Sequence, residues 1–140
     1  MDVSTESTES KSEQEITLTT LPSKTAQEVF DYIVKHLRKQ NKKAIGDEIS
    51  SYSCVYRKEN PETHEIVTCA AGCLIAPEEY RKNFEGISWG ALTQRNLVPN
   101  TYRNLIINLQ NIHDCYEVKN WEEQFSLVAT RFQLNFTLLT

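Results

Sequence analysis

The fold class is decided by residues 52–71, which read YSCVYRKENPETHEIVTCAA. The first six residues of this stretch alternate about Tyr52, Cys54 and Tyr56, and a period of two is typical of a strand. Residues 58–63 supply polar turn residues and a proline, and residues 66–71 return as a second strand. Gly72 lies in the same run, where a glycine often marks a bulge or a close approach of two backbones. We therefore predict a β-hairpin, which needs a helix on one face to be stable.

A helix is predicted on the N-terminal side of the hairpin, over about residues 25–41. Thr25 and Glu28 have the spacing of a capping box, in which each residue satisfies a backbone amide of the other. Apolar residues follow at helical intervals and form one face, represented by Phe30 and Leu37. This face is the expected cover for the hairpin.

Three helices are predicted after the hairpin. A short one spans residues 89–96, Asn100 or Thr101 caps the next, and Asn120 caps the last. The predicted fold is therefore α+β, an N-terminal helix, a β-hairpin and three further helices in the order α-β-β-α-α-α. These elements form a single small domain over residues 25–140.

Residues 1–24 are predicted to be a disordered acidic tail. They carry a net charge of −3, out of −4 for the whole chain of 140 residues, and few of them are apolar. Such a segment cannot bury enough surface to offset its chain entropy. The remaining domain is nearly neutral and lacks the broad positive field that non-specific nucleic-acid binding needs, so nucleic acid is not an expected partner.

The sequence leads us to expect a cytoplasmic protein with no membrane partner. Its first residues have neither the basic stretch nor the apolar run of a secretory signal. The longest apolar run is far shorter than a membrane span. The four cysteines are therefore expected to be free thiols in a reducing compartment.

A series of short motifs is spread over residues 26–134. They are Tyr56-Arg57, Cys69-Ala70-Ala71-Gly72-Cys73-Leu74-Ile75, Glu79-Tyr80, Glu85-Gly86, Leu109-Gln110-Asn111-Ile112-His113-Asp114 and Trp121-Glu122-Glu123. In this pattern the chain resembles a group of small accessory proteins of unassigned function, encoded by tailed bacteriophages and prophages. The resemblance brings no activity, cofactor or catalytic residue, and its relatives can carry other residues, histidine among them, at the position of Cys73. It implies a setting, the cytoplasm of an infected bacterial host cell.

Cysteine and histidine side chains give two candidates for chemistry. Cys54, Cys69, Cys73 and His113 would satisfy a tetrahedral structural zinc, but Cys69 and Cys73 would lie about 13 Å apart on an extended strand. Cys69 or Cys73 with His113 also has the residue types of a cysteine hydrolase. Asp114 is expected to end its helix rather than to orient His113, because helical neighbours point about 100° apart. We expect buried core thiols instead, with no metal, cofactor or catalytic residue.

The C-terminal half of the first helix carries a basic patch, Lys35, Arg38, Lys39 and Lys42. Such a cluster can bind a phosphate or an acidic partner. Cations at this end of a helix also complement its dipole, which accounts for the same residues without any partner. Both interpretations stay open.

The segment that follows the hairpin is the main predicted binding surface. Its residues, together with one from the first strand, are Arg57, Tyr80, Arg81, Lys82, Glu85 and Trp89. The aromatic rings could anchor a protein partner, or hold a nucleotide base while the cations bind its phosphates. The alternative is that Phe84 and Trp89 fill the space between the hairpin and the helices.

Three functions follow from these candidates. We expect a non-catalytic phage accessory protein that binds a host protein, to counter host defence or to redirect host metabolism. The first alternative is a protein that binds and sequesters a small nucleotide signal. The second alternative is a cysteine-dependent hydrolase, and an enzyme is the less expected class.

Overall fold

The structure, a computed structural model, describes residues 15–45 and 55–138. Its helices are α1 (Ala26–Gln40), α2 (Trp89–Gln94), α3 (Arg103–Cys115) and α4 (Trp121–Arg131), and its strands are β1 (Arg57–Glu59) and β2 (Ile66–Thr68). Short 3₁₀ turns lie at Leu21–Ser23, Gly72–Leu74, Lys82–Phe84 and Val118–Asn120. The predicted α+β class and the order α-β-β-α-α-α are confirmed. None of the helices in these ranges has the length and apolar character needed to cross a membrane.

Helix α1 begins where the capping box predicts. The Thr25 side chain accepts from the Glu28 amide and the Glu28 carboxylate accepts from the Thr25 amide, so both residues act as predicted. The buried face consists of Val29, Phe30, Ile33, Val34 and Leu37. Each of these side chains stabilises the fold by about 1.5–3 kcal/mol through burial. The helix ends at Asn41, which adopts the left-handed conformation that commonly closes a helix.

The hairpin is shorter than predicted, and its paired first strand lies later in the chain than the predicted one. β1 and β2 pair antiparallel with Arg57 opposite Thr68 and Glu59 opposite Ile66, so residues assigned to the turn belong to β1. Tyr52 and the other residues up to 54 fall outside the described part of the chain. The second strand, predicted to reach residue 71, ends at Thr68.

A 3₁₀ turn at Gly72–Leu74 replaces the end of the predicted second strand. At this turn Gly72 lies against the backbone of Tyr56. A Cβ on Gly72 would lie 2.1 Å from the Tyr56 carbonyl oxygen, far inside van der Waals contact. The predicted close approach of two backbones at this glycine is confirmed, and it brings the 3₁₀ turn against the start of β1.

The packed domain begins earlier than the predicted boundary at residue 25. Ile16 and Leu21, assigned to the acidic tail, are both buried in the core. The Glu79 carboxylate holds this segment in place, since it accepts from the amides of Leu18 and Thr19 and from the Thr19 hydroxyl. Residues 1–14 lie outside the described residues.

Helix α3 is the central element, because it packs against α1, α2 and α4. The prediction that Asn100 or Thr101 caps it is wrong: its N-cap is Tyr102, in a left-handed conformation and without a side-chain cap. The Tyr102 hydroxyl donates instead to the Lys24 carbonyl oxygen at 2.6 Å, which ties the start of α3 to the chain that enters α1. Asn120 precedes α4 as predicted, although its side chain makes no capping bond.

Candidate functional site

A cleft of about 450 Å³ lies along one side of α3. One wall is α3 itself, another is the segment from Gly86 to Gly90, and Tyr56 from the start of the hairpin closes the end near β1. The lining residues are Tyr56, Cys69, Gly86, Ile87, Ser88, Trp89, Gly90, Arg103, Ile107, Gln110, Asn111 and Asp114. This volume is in the range of small-molecule sites, about 300–1,000 Å³.

Trp89 forms part of the wall of this cleft and is almost fully buried, with 2% of its surface exposed. Its ring lies against Tyr56, with 6.4 Å between the ring centroids, and the Tyr56 hydroxyl donates to the Ile87 carbonyl oxygen. The indole Nε1 of Trp89 has no acceptor anywhere in the described residues. A buried donor without an acceptor costs about 1–3 kcal/mol and is uncommon in folded proteins.

Arg103 stands in the same cleft, at the first position of α3. Its Nε donates to the Thr93 hydroxyl oxygen at 2.8 Å, and this buried hydroxyl donates in turn to the Gly90 carbonyl oxygen at 2.7 Å. The guanidinium lies directly over Gly90, since a Cβ on Gly90 would lie 2.8 Å from Arg103 Nη2. The side chain is therefore fixed at one nitrogen and packed against a residue that has no side chain.

The two terminal amino groups of Arg103 make no hydrogen bond or ion pair within residues 15–45 and 55–138. A cation at the start of a helix is electrostatically unfavourable, because the helix dipole is positive at that end. Arg103 thus combines an unfavourable position with two terminal amino groups that have no acceptor in the described residues, and its Nε is held by Thr93.

The far end of the cleft is a closed polar network around Gln110 and Asp114. Gln110 Oε1 accepts from the Ala71 amide, and its Nε2 donates to Asp114 Oδ1 at 2.9 Å. His113 Nδ1 donates to the same Asp114 oxygen at 2.9 Å. The expectation that Asp114 does not orient His113 is wrong, because the side chains of helical neighbours can bend toward each other although their Cα–Cβ bonds diverge.

His113 itself is fully buried and stacks on Trp121, with 5.8 Å between ring centroids. Its Nε2 lies 3.0 Å from the Ala44 amide, which can only donate, so Nε2 is the unprotonated nitrogen and Nδ1 carries the proton. Both ring nitrogens are therefore used by the fold. The histidine ties the segment after α1 to α3 and has no nitrogen left for a thiol or a metal ion.

The two described candidate cysteines are protonated thiols. Burial raises the pKa of Cys69 to about 12, and burial together with the neighbouring Cys69 raises the pKa of Cys73 well above its ordinary value. Cys69 Sγ accepts from the Gly72 amide and Cys73 Sγ donates to the Ala70 carbonyl oxygen. Neither is the thiolate that a cysteine nucleophile requires.

The geometry assumed for a metal site also changes. Cys69 and Cys73 do not lie along an extended strand, because the 3₁₀ turn at Gly72–Leu74 folds the chain between them and the Cys73 amide bonds to the Cys69 carbonyl oxygen. Among the residues that the structure describes, no group of three or more His, Cys, Asp and Glu side chains could hold a metal ion. Cys54 lies outside them.

The basic patch on α1 is partly occupied by structural contacts. Arg38 makes a two-pronged ion pair with Glu122, with both N–O distances 2.7 Å, and also donates to the Thr137 carbonyl oxygen. Lys42 pairs with Glu65 at 3.0 Å. The other two members, Lys35 and Lys39, are exposed and make no hydrogen bond or ion pair with the described residues.

The predicted surface after the hairpin serves mainly to hold the hairpin. The Glu85 carboxylate accepts from the amides of Tyr56 and Arg57 and from the Tyr80 hydroxyl at 2.6 Å. Partial burial and the adjacent Glu85 raise the pKa of Tyr80. The Arg81 guanidinium bonds to carbonyl oxygens of its own segment. Through Tyr56, this network positions one wall of the cleft.

The exposed aromatic rings predicted to hold a nucleotide base do not face each other across an open site. Phe84 and Trp89 are buried, and Tyr80 meets Phe84 edge to face at 6.5 Å. Lys82 is exposed at the surface. Of the six residues predicted for this surface, Trp89 is the one that lines the cleft. Packing of Phe84 and Trp89 between the hairpin and the helices, the stated alternative, is what the structure shows.

Arg103, Thr93 and Gly90 were not anticipated from the sequence. One signal was present: an arginine at the start of a helix opposes the dipole rule that explains the lysines at the end of α1.

Comparisons of the chain with protein-family models, with curated protein sequences and with solved structures find no match. The resemblance to small phage proteins stays a prediction.

Proposed function

We propose that this protein binds a small molecule in the cleft along α3 and acts by holding that ligand. The observation that carries the proposal is the cleft of about 450 Å³ itself, whose wall combines the Trp89 ring with the Arg103 guanidinium, two of whose nitrogens have no acceptor in the described residues. A cleft of this size that combines apolar walls with a few convergent polar groups is the usual form of a small-molecule site. Of the functions expected from the sequence, this is the small-molecule binder.

The contacts of the reactive groups argue for binding over a cysteine hydrolase. A thiol nucleophile needs a base within hydrogen-bond reach. The base available here, His113 Nε2, accepts from the Ala44 amide instead, and Cys69 is a protonated thiol. The hydrolase would require both groups to break contacts that stabilise the fold.

The predicted phage setting suggests where the ligand of this protein would come from. If the chain is a phage accessory protein, its ligand would be a small molecule of the host cell, and sequestering it would counter host defence or redirect host metabolism. Binding of a host protein remains the other proposal. The surface predicted for it would lack Phe84 and Trp89 as anchors, since both side chains are buried.

The test is native mass spectrometry of protein purified from its natural host, compared with its denatured mass. We expect an added mass of small-molecule size that is lost on denaturation. The same ligand, added back to stripped protein, should raise the melting temperature because it binds the folded state alone. A bare mass, together with an unchanged melting temperature across a panel of host metabolites, would contradict the proposal.

A further inference from the structure

The cleft has one positive end and one negative end. Arg103 and Asp114 both line it from α3, eleven residues apart, which corresponds to about 16 Å along the helix axis. Asp114 already accepts from Gln110 and His113, whereas Arg103 keeps two terminal amino groups without an acceptor in the described chain. A ligand that spans part of this cleft therefore places negative charge near Arg103.

The guanidinium is held in a way that suits recognition of an anion. Its Nε is fixed by Thr93, and Thr93 is itself fixed by the Gly90 carbonyl oxygen, so the planar group loses little freedom on binding. The two remaining amino groups form a fork that matches the two oxygens of a carboxylate or a phosphate. The positive end of the α3 dipole adds to the same field.

We propose that the ligand of this cleft carries an oxyanion, a carboxylate or a phosphate, and that Arg103 binds it. This inference rests on the proposed function and names the chemistry of its ligand. The rest of the ligand lies against Tyr56, Ile87 and Ile107, the apolar part of the lining. The volume of about 450 Å³ accommodates a molecule up to about the size of a mononucleotide.

The experiment compares charged and uncharged members of two ligand pairs by titration calorimetry with the full chain. Adenosine monophosphate is paired with adenosine for the phosphate arm, and benzoate with benzyl alcohol for the carboxylate arm. We expect the charged member of at least one pair to bind, and to bind about tenfold or more tightly than its uncharged partner, because charge-assisted hydrogen bonds are strong in a partly closed site. The pair that responds distinguishes phosphate from carboxylate.

Three variants locate the effect. Arg103→Gln removes the charge and should weaken binding of the anion about tenfold to a hundredfold. Gly90→Ala keeps the charge but puts a methyl group 2.8 Å from Nη2, so it should displace the guanidinium and weaken binding similarly. The matched control is Arg95→Gln, the same change at an exposed residue of the neighbouring turn, which should bind like the wild type.

The outcomes separate this inference from the proposed function. If adenosine or benzyl alcohol binds as tightly as its charged partner, or if Arg103→Gln binds like the wild type, the cleft is a binding site but the oxyanion assignment is wrong. If Arg95→Gln weakens binding as much as Arg103→Gln, the effect is one of overall charge and the assignment is wrong again. Absence of binding by every probe overturns the oxyanion inference, while the mass of the protein from its host still decides the proposed function.

Discussion

Gly72→Ala tests the contact that shapes the hairpin and one wall of the cleft. The new Cβ would lie 2.1 Å from the Tyr56 carbonyl oxygen, 2.9 Å from its carbonyl carbon and 3.1 Å from its Cα. A normal C···O contact is about 3.3 Å, so the two backbones must separate by about 1 Å. Both are held: the Tyr56 amide donates to Glu85 and its hydroxyl donates to the Ile87 carbonyl oxygen, while the Gly72 amide donates to Cys69 Sγ.

The magnitude follows from the kind of atoms that clash. Overpacking costs about 1–3 kcal/mol, and backbone atoms on the opposing side favour the upper end. Replacing glycine also reduces the conformational entropy of the unfolded chain, which offsets about 0.4–1 kcal/mol of this loss. We expect a net loss of about 2 kcal/mol in the free energy of unfolding, measured by urea unfolding followed through tryptophan fluorescence.

Gly90→Ala is the matched control for this prediction. Its Cβ meets the far end of the Arg103 side chain, which can move, and alanine is favoured over glycine inside a helix by up to about 1 kcal/mol. Displacing the guanidinium strains its bond to Thr93, so the two effects offset each other and its stability should stay within about 1 kcal/mol of the wild type. If Gly72→Ala unfolds within about 0.5 kcal/mol of the wild type, the ordinary range for a surface change, the close approach of Gly72 to Tyr56 is not a feature of the folded protein.

Three further predictions concern side chains other than Trp89 and Arg103. Partial burial opposes ionisation of Glu79, but hydrogen bonds from the Ala76, Leu18 and Thr19 groups outweigh it and hold its pKa below its ordinary value. Its stabilising effect is therefore complete above the unfolded pKa of about 4.3 and lost as the pH falls through the folded pKa, so the wild type should unfold at higher urea than Glu79→Gln near neutral pH, and this difference should shrink as the pH falls below about 4. A double-mutant cycle of Arg38→Gln and Glu122→Gln should give a coupling free energy of about 1 kcal/mol, and a value near zero would contradict the two-pronged ion pair. Iodoacetamide near neutral pH should label exposed Cys115 well before Cys69, whose pKa of about 12 leaves little thiolate; rapid labelling of Cys69 would mean that it is not buried as described.

The parts of the fold that sequence predicts well are those fixed by local chemistry. The capping box of Thr25 and Glu28 and the apolar face behind it locate α1 to within a residue at each end. Gly72 indicates a close backbone approach, but not that β2 ends before it, because the opposing atoms belong to Tyr56, sixteen residues away along the chain. The start of α3 is missed since Tyr102 is anchored by a distant carbonyl oxygen, that of Lys24, and not by a local cap.

The candidate site is predicted only in part, for a related reason. Trp89 is singled out by its residue type, yet its burial beside Tyr56 depends on how the hairpin exit folds back onto α3. Arg103 becomes a candidate only once Thr93 and Gly90 are known to hold it, and those residues come from another helix. Residue type alone marks Cys69 as a possible nucleophile. Its burial in the folded protein raises the pKa of its thiol and makes it unsuited to that role.

The most direct test of ligand binding in the cleft uses the two tryptophan indole N–H groups in a ¹H–¹⁵N correlation spectrum. Trp121 Nε1 donates to the Tyr116 carbonyl oxygen at 3.0 Å and serves as an internal control, whereas Trp89 Nε1 has no acceptor in the described residues. Trp121→Phe assigns the two signals. Titration with adenosine monophosphate or benzoate should shift the Trp89 signal in a saturable manner and leave the Trp121 signal in place. A Trp89 signal that stays fixed while a probe binds, or two indole signals that shift together, would contradict a ligand site in this cleft.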